Sequence, residues 1–237
     1  MKRLCTICAR GGSKGVKNKN LREFLGRPLI ASTILQAKKS GLFDTIAVSS
    51  DSDKILDTAS EYGVEILIKR PDELATDTAA KIPVIQHCLL EVEKITGITY
   101  NSHMDLDSTS PLRNIEDIVG TINMLEEKNI SNILSATPAR RSPYFNLLEL
   151  DENNVAKISK ELPTNIIRRQ DSPKCYDANA SIYAWQRDAL LDGETLFKKD
   201  TCLFIMPEER SYDIDTEIDF QIVEFLAKKR DDLCQLI

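Results

Sequence analysis

The chain has 237 residues, 31 basic against 37 acidic for a net charge of −6, with 42% hydrophobic and 29% charged residues. That length suits one large domain, or one domain carrying a modest insertion, and the proportions are those of a soluble globular protein. They exclude a general nucleic-acid coat, which would be strongly basic, but not an anionic ligand, which needs only local positive charge.

The first two-thirds of the chain alternates short β-branched apolar runs with helical periods. Strands are predicted at 3–8, 44–49, 64–68, 103–107 and 132–136, and helices at 28–39, 52–62, 78–95 and 114–128, with Pro28 in the first turn of the first helix. Such alternation predicts right-handed crossovers and a doubly wound α/β fold on a mainly parallel sheet, which binds ligands at the carboxyl ends of its strands. The pattern breaks near residue 138. From Pro138 to Pro173 prolines punctuate a stretch containing Tyr144, Phe145, Leu147, Leu148 and Leu150, which reads as a hairpin-rich insertion within a single domain spanning 1–237. Strands follow at 179–185 and 202–206, then a helix at 217–230 opened by a Thr216/Asp219 capping box.

The six cysteines do not form the framework of a small secreted domain, and reduced thiols and a cytoplasmic location are expected. Cys5 and Cys8 make a C-x-x-C, but in a strand their odd offset puts them on opposite faces, no second pair exists, and His87 and His103 lack metal spacing. The run from Leu4 to Ala9 is too short for a signal-peptide core, and no stretch approaches a membrane span. The tail Cys234-Gln235-Leu236-Ile237 has the outline of a prenylation box, but a terminal isoleucine and a preceding amphipathic helix argue against that reading.

Four segments carry chemistry. After the first strand, Arg10-Gly11-Gly12-Ser13-Lys14-Gly15-Val16-Lys17-Asn18-Lys19-Asn20-Leu21-Arg22 holds five basic residues and no acid. Its glycines let backbone N–H groups approach a ligand and its cations neutralise phosphate, yet it has neither Walker nor G-x-G-x-x-G spacing. Asp213-Ile214-Asp215, if extended, turns both carboxylates to one side, which beside a triphosphate suits Mg²⁺; N-capping of the next helix accounts for the same residues. Leu106 to Arg113 places small hydroxyl residues at a strand end, fit for a polyhydroxylated ligand or for an ordinary N-cap and proline turn. Arg168-Arg169-Gln170, followed by Asn179 and Tyr183, supplies a guanidinium fork for a carboxylate, or a solvated pair of arginines.

With these segments in order, the sequence resembles the CMP-sialic acid synthetases (acylneuraminate cytidylyltransferases) over essentially its whole length. The matching motifs are ARGGSKGVKNKNL at 9–21, KRPDELATDTA at 69–79, LDSTSPLR at 106–113, RRQ at 168–170, NASIYAW at 179–185 and YDIDTEID at 212–219. The resemblance implies a nucleotidyltransferase-like fold and transfer of CMP from CTP to the anomeric hydroxyl of a nine-carbon 2-keto sugar acid, releasing pyrophosphate. It assigns Arg10, Gly11, Gly12, Ser13, Lys14 and Lys19 to the phosphates, Asn20, Arg70, Thr78 and Ala79 to cytosine and ribose, and Asp213 and Asp215 to Mg²⁺. Asp107, Thr109, Arg169, Asn179 and Tyr183 fall on the sugar side, and the 138–170 insertion resembles an arm that forms a homodimer and reaches toward the partner's site.

Two positions depart from the sialic-acid pattern: Asp107, where glutamine is usual, and Lys81, in place of a small residue near the nucleobase pocket. With RRQD and NASIYAW they resemble the bacterial subgroup that activates N,N′-diacetyllegionaminic acid and related nonulosonates, with N-acetylneuraminate the alternative acceptor. An ionised Asp107 requires a donor from the ligand or a cationic neighbour, for which Arg113 and Arg169 are the expected candidates. Arg10, Lys19, Asp213 and Asp215 are the expected catalytic set, while the general base stays open between a metal-bound water and a carboxylate. A metal-dependent glycosyltransferase also uses D-x-D but does not account for the basic loop, and a nucleotide sensor does not need paired carboxylates.

Overall fold

The computed structural model describes residues 1–164 and 166–236; Asn165 of the predicted insertion and Ile237 of the prenylation-like tail lie outside them. Strand β1 (Arg3–Cys8) sets the plan, because its side chains alternate between two apolar layers. Cys5 and Ile7 pack with Ile30, Ile34, Ile118 and Ile122 on one face, while Leu4 and Cys8 pack with Ile85, Leu89 and Trp185 on the other. The two cysteines of C-x-x-C thus occupy opposite faces.

The order continues through the small hairpin β2 (Glu23–Phe24) and β3 (Arg27–Pro28), α1 (Leu29–Ser40), β4 (Thr45–Ser50), α2 (Asp53–Glu61), β5 (Ile66–Lys69), α3 (Lys81–Thr96), β6 (Ser102–Leu106), α4 (Ile115–Lys128) and β7 (Asn132–Pro138). Then come the hairpin β8 (Leu148–Leu150) and β9 (Ala156–Ile158), β10 (Tyr176–Gln186), α5 (Arg187–Leu191), β11 (Cys202–Ile205), α6 (Glu217–Ala227) and α7 (Asp231–Cys234). Seven strands form the central sheet in the order β11-β7-β10-β6-β1-β4-β5. Only β10 runs against its neighbours, pairing antiparallel with both β6 and β7. The α/β reading with a mainly parallel sheet holds, and helices cover both faces.

Boundaries differ from the sequence expectation where local chemistry decides them. Pro28 precedes α1 in an extended conformation instead of opening its first turn. Helix α3 starts at Lys81, not 78, because Asp77 and Thr78 form a turn and Ala80 is extended. The last helix stops at Ala227, and a separate turn, α7, packs Leu233 and Leu236 into a third apolar cluster with Val16, Phe24, Ile214 and Phe220. The Thr216/Asp219 capping box is formed, and α4 has a second one from Asn114 and Asp117. The excursion between β7 and β10 runs over 139–175, longer than the expected 138–170, because Tyr176 already pairs with Pro138. Its hairpin stands apart from the central sheet and exposes Leu148, Leu150 and Val155.

One buried side chain ties the site-bearing end of the sheet together. Arg113 is 0% exposed, and each of its five N–H donors has an acceptor: Nε the Gln36 Oε1 (3.1 Å), Nη1 the Ser181 carbonyl (2.6 Å) and Oγ (3.2 Å), and Nη2 the Thr33 Oγ1 (2.7 Å) and the Asp107 carbonyl. These bonds join α1, β10 and the turn after β6. Lysine offers three donors and no planar fork. Arg113→Lys and Arg113→Met should each lower unfolding free energy by about 3 kcal/mol or more, since several buried acceptors lose their donors. Urea unfolding checks this, and a midpoint equal to that of the parent chain would show that the turn is held by something else.

Candidate active site

The carboxyl ends of β1, β5 and β6 open onto one cavity of about 400 Å³. Of the residues expected from sequence, Arg10, Ser13, Lys14, Lys19, Asn20, Arg70, Ala79, Asp107, Thr109 and Asp215 line it. Segments separated by some 200 residues meet here because of two backbone contacts. At Gly15, an added Cβ would lie 1.9 Å from the Asp215 carbonyl oxygen, so the basic loop can rest on the Asp213–Asp215 segment only where it has no side chain. The Ile214 N–H donates to the Thr109 carbonyl (3.0 Å), which fastens the same segment to the turn after β6.

Lys19 completes the joint. Its ammonium donates to the Ile214 carbonyl and lies 3.5 Å from Asp215 Oδ1, so one cation belongs to the basic loop and to the acidic segment together. Ile214 is buried, which leaves the two flanking carboxylates turned away from the core, Asp215 exposed and Asp213 partly covered. Burial, and then the charge of Asp215, hold the Asp213 carboxyl above its ordinary range. A carboxylate whose charge is disfavoured by burial and by a neighbouring carboxylate is a place where a divalent cation is welcome. Two of the remaining loop cations share an acidic partner, Asp77, which lies 2.8 Å from Arg10 and 2.5 Å from Lys14, and Arg22 pairs with Glu217 at 2.5 Å. Hydrogen bonding and charge from Lys14, with Arg10 adding to it, keep the Asp77 carboxyl below the usual carboxylate range.

Asn20 and Arg70 line the cavity, but much of their hydrogen-bonding capacity is internal. Asn20 Nδ2 donates to the Arg10 carbonyl (3.0 Å) and its Oδ1 accepts from Ser108 Oγ (2.7 Å), pinning loop to turn. Arg70 Nη2 donates to the Ser49 carbonyl (2.8 Å) and Nε reaches Ser49 Oγ (3.3 Å). Gly11, Gly12, Thr78 and Asp213 stand outside the cavity lining. Gly11 instead donates its N–H to Asp51 Oδ1 (2.9 Å), anchoring the loop to the end of β4.

On the expected sugar side the structure redistributes the roles. Asp107 is at the cavity, but its cationic neighbour is Lys81, at 2.8 Å, and not Arg113 or Arg169; Arg113 bonds only the Asp107 carbonyl. Burial opposes the Asp107 charge, yet Lys81 and the Thr109 donors pull its pKa down to about 2. Such a carboxylate accepts hydrogen bonds at neutral pH and is a poor general base. Tyr183 lies beneath Lys81, its ring centre 4.1 Å from Nζ, and stacks on Trp185. Asn179 lies outside the cavity lining, buried at a bulge in β10, where Oδ1 accepts from Ser135 Oγ (2.6 Å) and Nδ2 donates to Ser211 Oγ (3.0 Å), so its amide ties β10 to β7 and to the loop before Asp213. Arg169 does not line this cavity; it donates to the Ala139 carbonyl (2.6 Å) in a second cavity between the excursion and the sheet.

Asp77, Lys81 and Ser108 line the site and were not among the expected site residues. Asp77 lies in the 69–79 motif, where Arg70, Thr78 and Ala79 are the expected contacts, while Lys81 stands out in the sequence only as a departure from the family pattern.

Residues 4–236 match the family model described as "Cytidylyltransferase". A CMP-N,N′-diacetyllegionaminic acid synthase of Campylobacter jejuni is 50% identical over 223 residues, 94% of each chain. The "Post-translational flagellin modification protein B" of Campylobacter coli is 48% identical over 227 residues, 96% of this chain and 95% of that one. A solved CMP:2-keto-3-deoxy-manno-octonic acid synthetase complexed with CTP superposes with a TM-score of 0.70 at 15% identity, covering 97% of this chain and 99% of that one, a likeness of fold. The basic loop, the acidic pair bound to it and the match along nearly the whole chain have one conclusion: the chain is an enzyme of the cytidylyltransferase family, in the group of the CMP-sialic acid synthetases.

Proposed function

We propose that the enzyme transfers CMP from CTP to the anomeric hydroxyl of a nonulosonic acid, with N,N′-diacetyllegionaminic acid as the acceptor, and releases pyrophosphate. The observation that carries the chemistry is the Lys19 ammonium shared between the basic loop and the Asp213–Asp215 segment, which sets the loop cations and the Asp215 carboxylate at one cavity of about 400 Å³. The legionaminate acceptor is supported by the relative that is 50% identical over 94% of both chains. A glycosyltransferase or a sensor is not favoured, since neither belongs to this family.

In this reading Arg10, Lys14 and Lys19 bind the triphosphate, exchanging the contacts of Arg10 and Lys14 with Asp77 for phosphate oxygens. Their charge lies where negative charge grows on the α-phosphoryl oxygens and the departing pyrophosphate, so positioning and electrostatics do most of the catalysis. Asp213 and Asp215 fit Mg²⁺: they are hard oxygen donors, and burial and mutual repulsion leave Asp213 undercompensated. Among the described residues no group of three or more His, Cys, Asp or Glu is placed to hold a metal. When bound, Mg²⁺ supplies Lewis-acid charge to the phosphates.

The excursion between β7 and β10 is proposed as a dimerisation arm. It exposes Leu148, Leu150, Val155 and Ile167 in one chain, and a second copy's arm is a route by which Arg169 reaches a sugar carboxylate. The six free cysteines support the cytoplasmic location. Among the described residues no helix is long and apolar enough to cross a membrane.

Pyrophosphate release should require CTP, a divalent cation and a nonulosonic acid together, with kcat/KM about tenfold or more higher for N,N′-diacetyllegionaminate than for N-acetylneuraminate. ATP or GTP matching CTP would overturn the nucleotide assignment, and equal sugar efficiencies would overturn the acceptor. Asp213→Asn and Asp215→Asn should keep the parent melting temperature within a few degrees but reduce kcat by about a hundredfold or more, with weaker Mg²⁺ dependence. Near-parental turnover in both would remove the carboxylates from the mechanism. Light scattering at micromolar concentration should give twice the chain mass, whereas a single-chain mass would refute the arm's role.

A further inference from the structure

Two carboxylates and one ammonium meet where α3 enters the cavity. Lys81, the first residue of α3, places Nζ 2.8 Å from Asp107 Oδ2, 3.5 Å from Asp105 Oδ2 and 4.1 Å from the centre of the Tyr183 ring. The ammonium donates a hydrogen bond to Asp107, lies within ion-pair reach of Asp105 and sits over the Tyr183 ring. Lys81 therefore faces protein groups even though it lines the cavity. Asp107 Oδ1 in turn accepts from the Thr109 N–H (3.0 Å) and the Thr109 hydroxyl (2.9 Å). A carboxylate has roughly four acceptor directions, so with three filled one remains on Oδ2.

The surroundings make the cation necessary. Asp105, on β6, is 1% exposed, accepts from Thr6 through Oδ1, and has no hydrogen-bond partner on Oδ2. Burial holds the Asp105 carboxyl above its ordinary range, and the charges of Asp107 and Lys81 act on it in opposite senses. Asp213, from the segment before α6, adds negative potential near Tyr183. Arg113 spends its donors elsewhere, touching only the Asp107 carbonyl. Without Lys81, Asp107 would share a partly dry space with two other acids and no counter-charge, and would take up a proton or turn away.

We propose that Lys81 is a positioning residue for the sugar acceptor: it pins Asp107 with one carboxylate lone pair free at the cavity, so that the site selects an acceptor presenting an N–H or O–H donor there. The two departures from the sialic-acid pattern are thus one device. A glutamine in place of Asp107 needs no such cation, and a lysine without the carboxylate has nothing to orient. The inference rests on the cytidylyltransferase reading with a sugar-acid acceptor.

A double-mutant cycle in the pyrophosphate assay, with N,N′-diacetyllegionaminate as the acceptor, tests it. Lys81→Met and Asp107→Asn should each raise the acceptor KM about tenfold while leaving the CTP KM within about twofold, and the double variant should be no worse than the poorer single one. Multiplying effects, or a CTP KM that rises with the acceptor KM, would mean that Lys81 touches a substrate itself and would overturn the proposal. If Lys81→Met melts too low to assay, Lys81→Gln, which keeps a donor without the charge, takes its place. A ¹³C-carboxyl NMR titration gives a readout that needs no turnover. The Asp107 signal should stay ionised down to about pH 2 in the parent chain and titrate at higher pH once Lys81 is replaced. An unchanged titration would defeat the inference whatever the acceptor proves to be, whereas a parent chain that releases no pyrophosphate with any sugar acid, but shows the expected titration, would defeat only the function.

Discussion

The guanidinium of Arg113 is the fixed point from which the site is built. Its five bonds hold the turn after β6 against α1 and β10, and that turn carries Asp107, Ser108 and Thr109. From Thr109 the constraint passes to the Ile214 N–H, from the Ile214 carbonyl to Lys19, and from Ser108 through Asn20 to the Arg10 carbonyl. The cationic loop, the carboxylate pair and the sugar-side turn are therefore referred to one buried anchor and not to three independent loops. A buried arginine without a carboxylate partner is tolerated because every N–H has an oxygen to meet.

The electrostatics follow a similar economy. A chain with net charge −6 concentrates five cations in thirteen residues, and like charges so close repel unless acids are interleaved. Asp77, Asp215 and Glu217 supply those acids, and the contacts of Asp77 with Arg10 and Lys14 are solvent-exposed and weak in water. Such contacts are easily exchanged for a polyphosphate, which presents more charge in better geometry. The more enclosed pair, Lys81 and Asp107, is different: its partners are fixed by α3, Thr109 and Tyr183, and it shapes the cavity in place of yielding to the ligand.

The structure also separates residues that look alike in sequence. Asn179 and Tyr183 belong to one short motif with alternating β-strand spacing, but a bulge in β10 buries the asparagine among Ser135 and Ser211 and leaves the tyrosine ring as the floor under Lys81. Arg169 stands on the excursion and lines a second cavity, not the one that holds Asp107.

The sequence by itself determined the strand–helix alternation, the carboxyl-edge location of the site, the basic loop, the acidic pair and the capping box of α6. Each of these is written in local periodicity, local charge or a spacing of a few residues, and local chemistry is what a linear reading can see. Only the tertiary structure decided that β10 reverses direction, that Gly15 is bare because Asp215 lies against it, that Arg113 serves the fold and not the ligand, and that Lys81 and not Arg113 neutralises Asp107. Those are contacts between residues 26 to 200 positions apart, set by how helices and strands pack and by which buried donor finds which acceptor. No periodicity along the chain encodes them, because they come into being only when the sheet closes around its core.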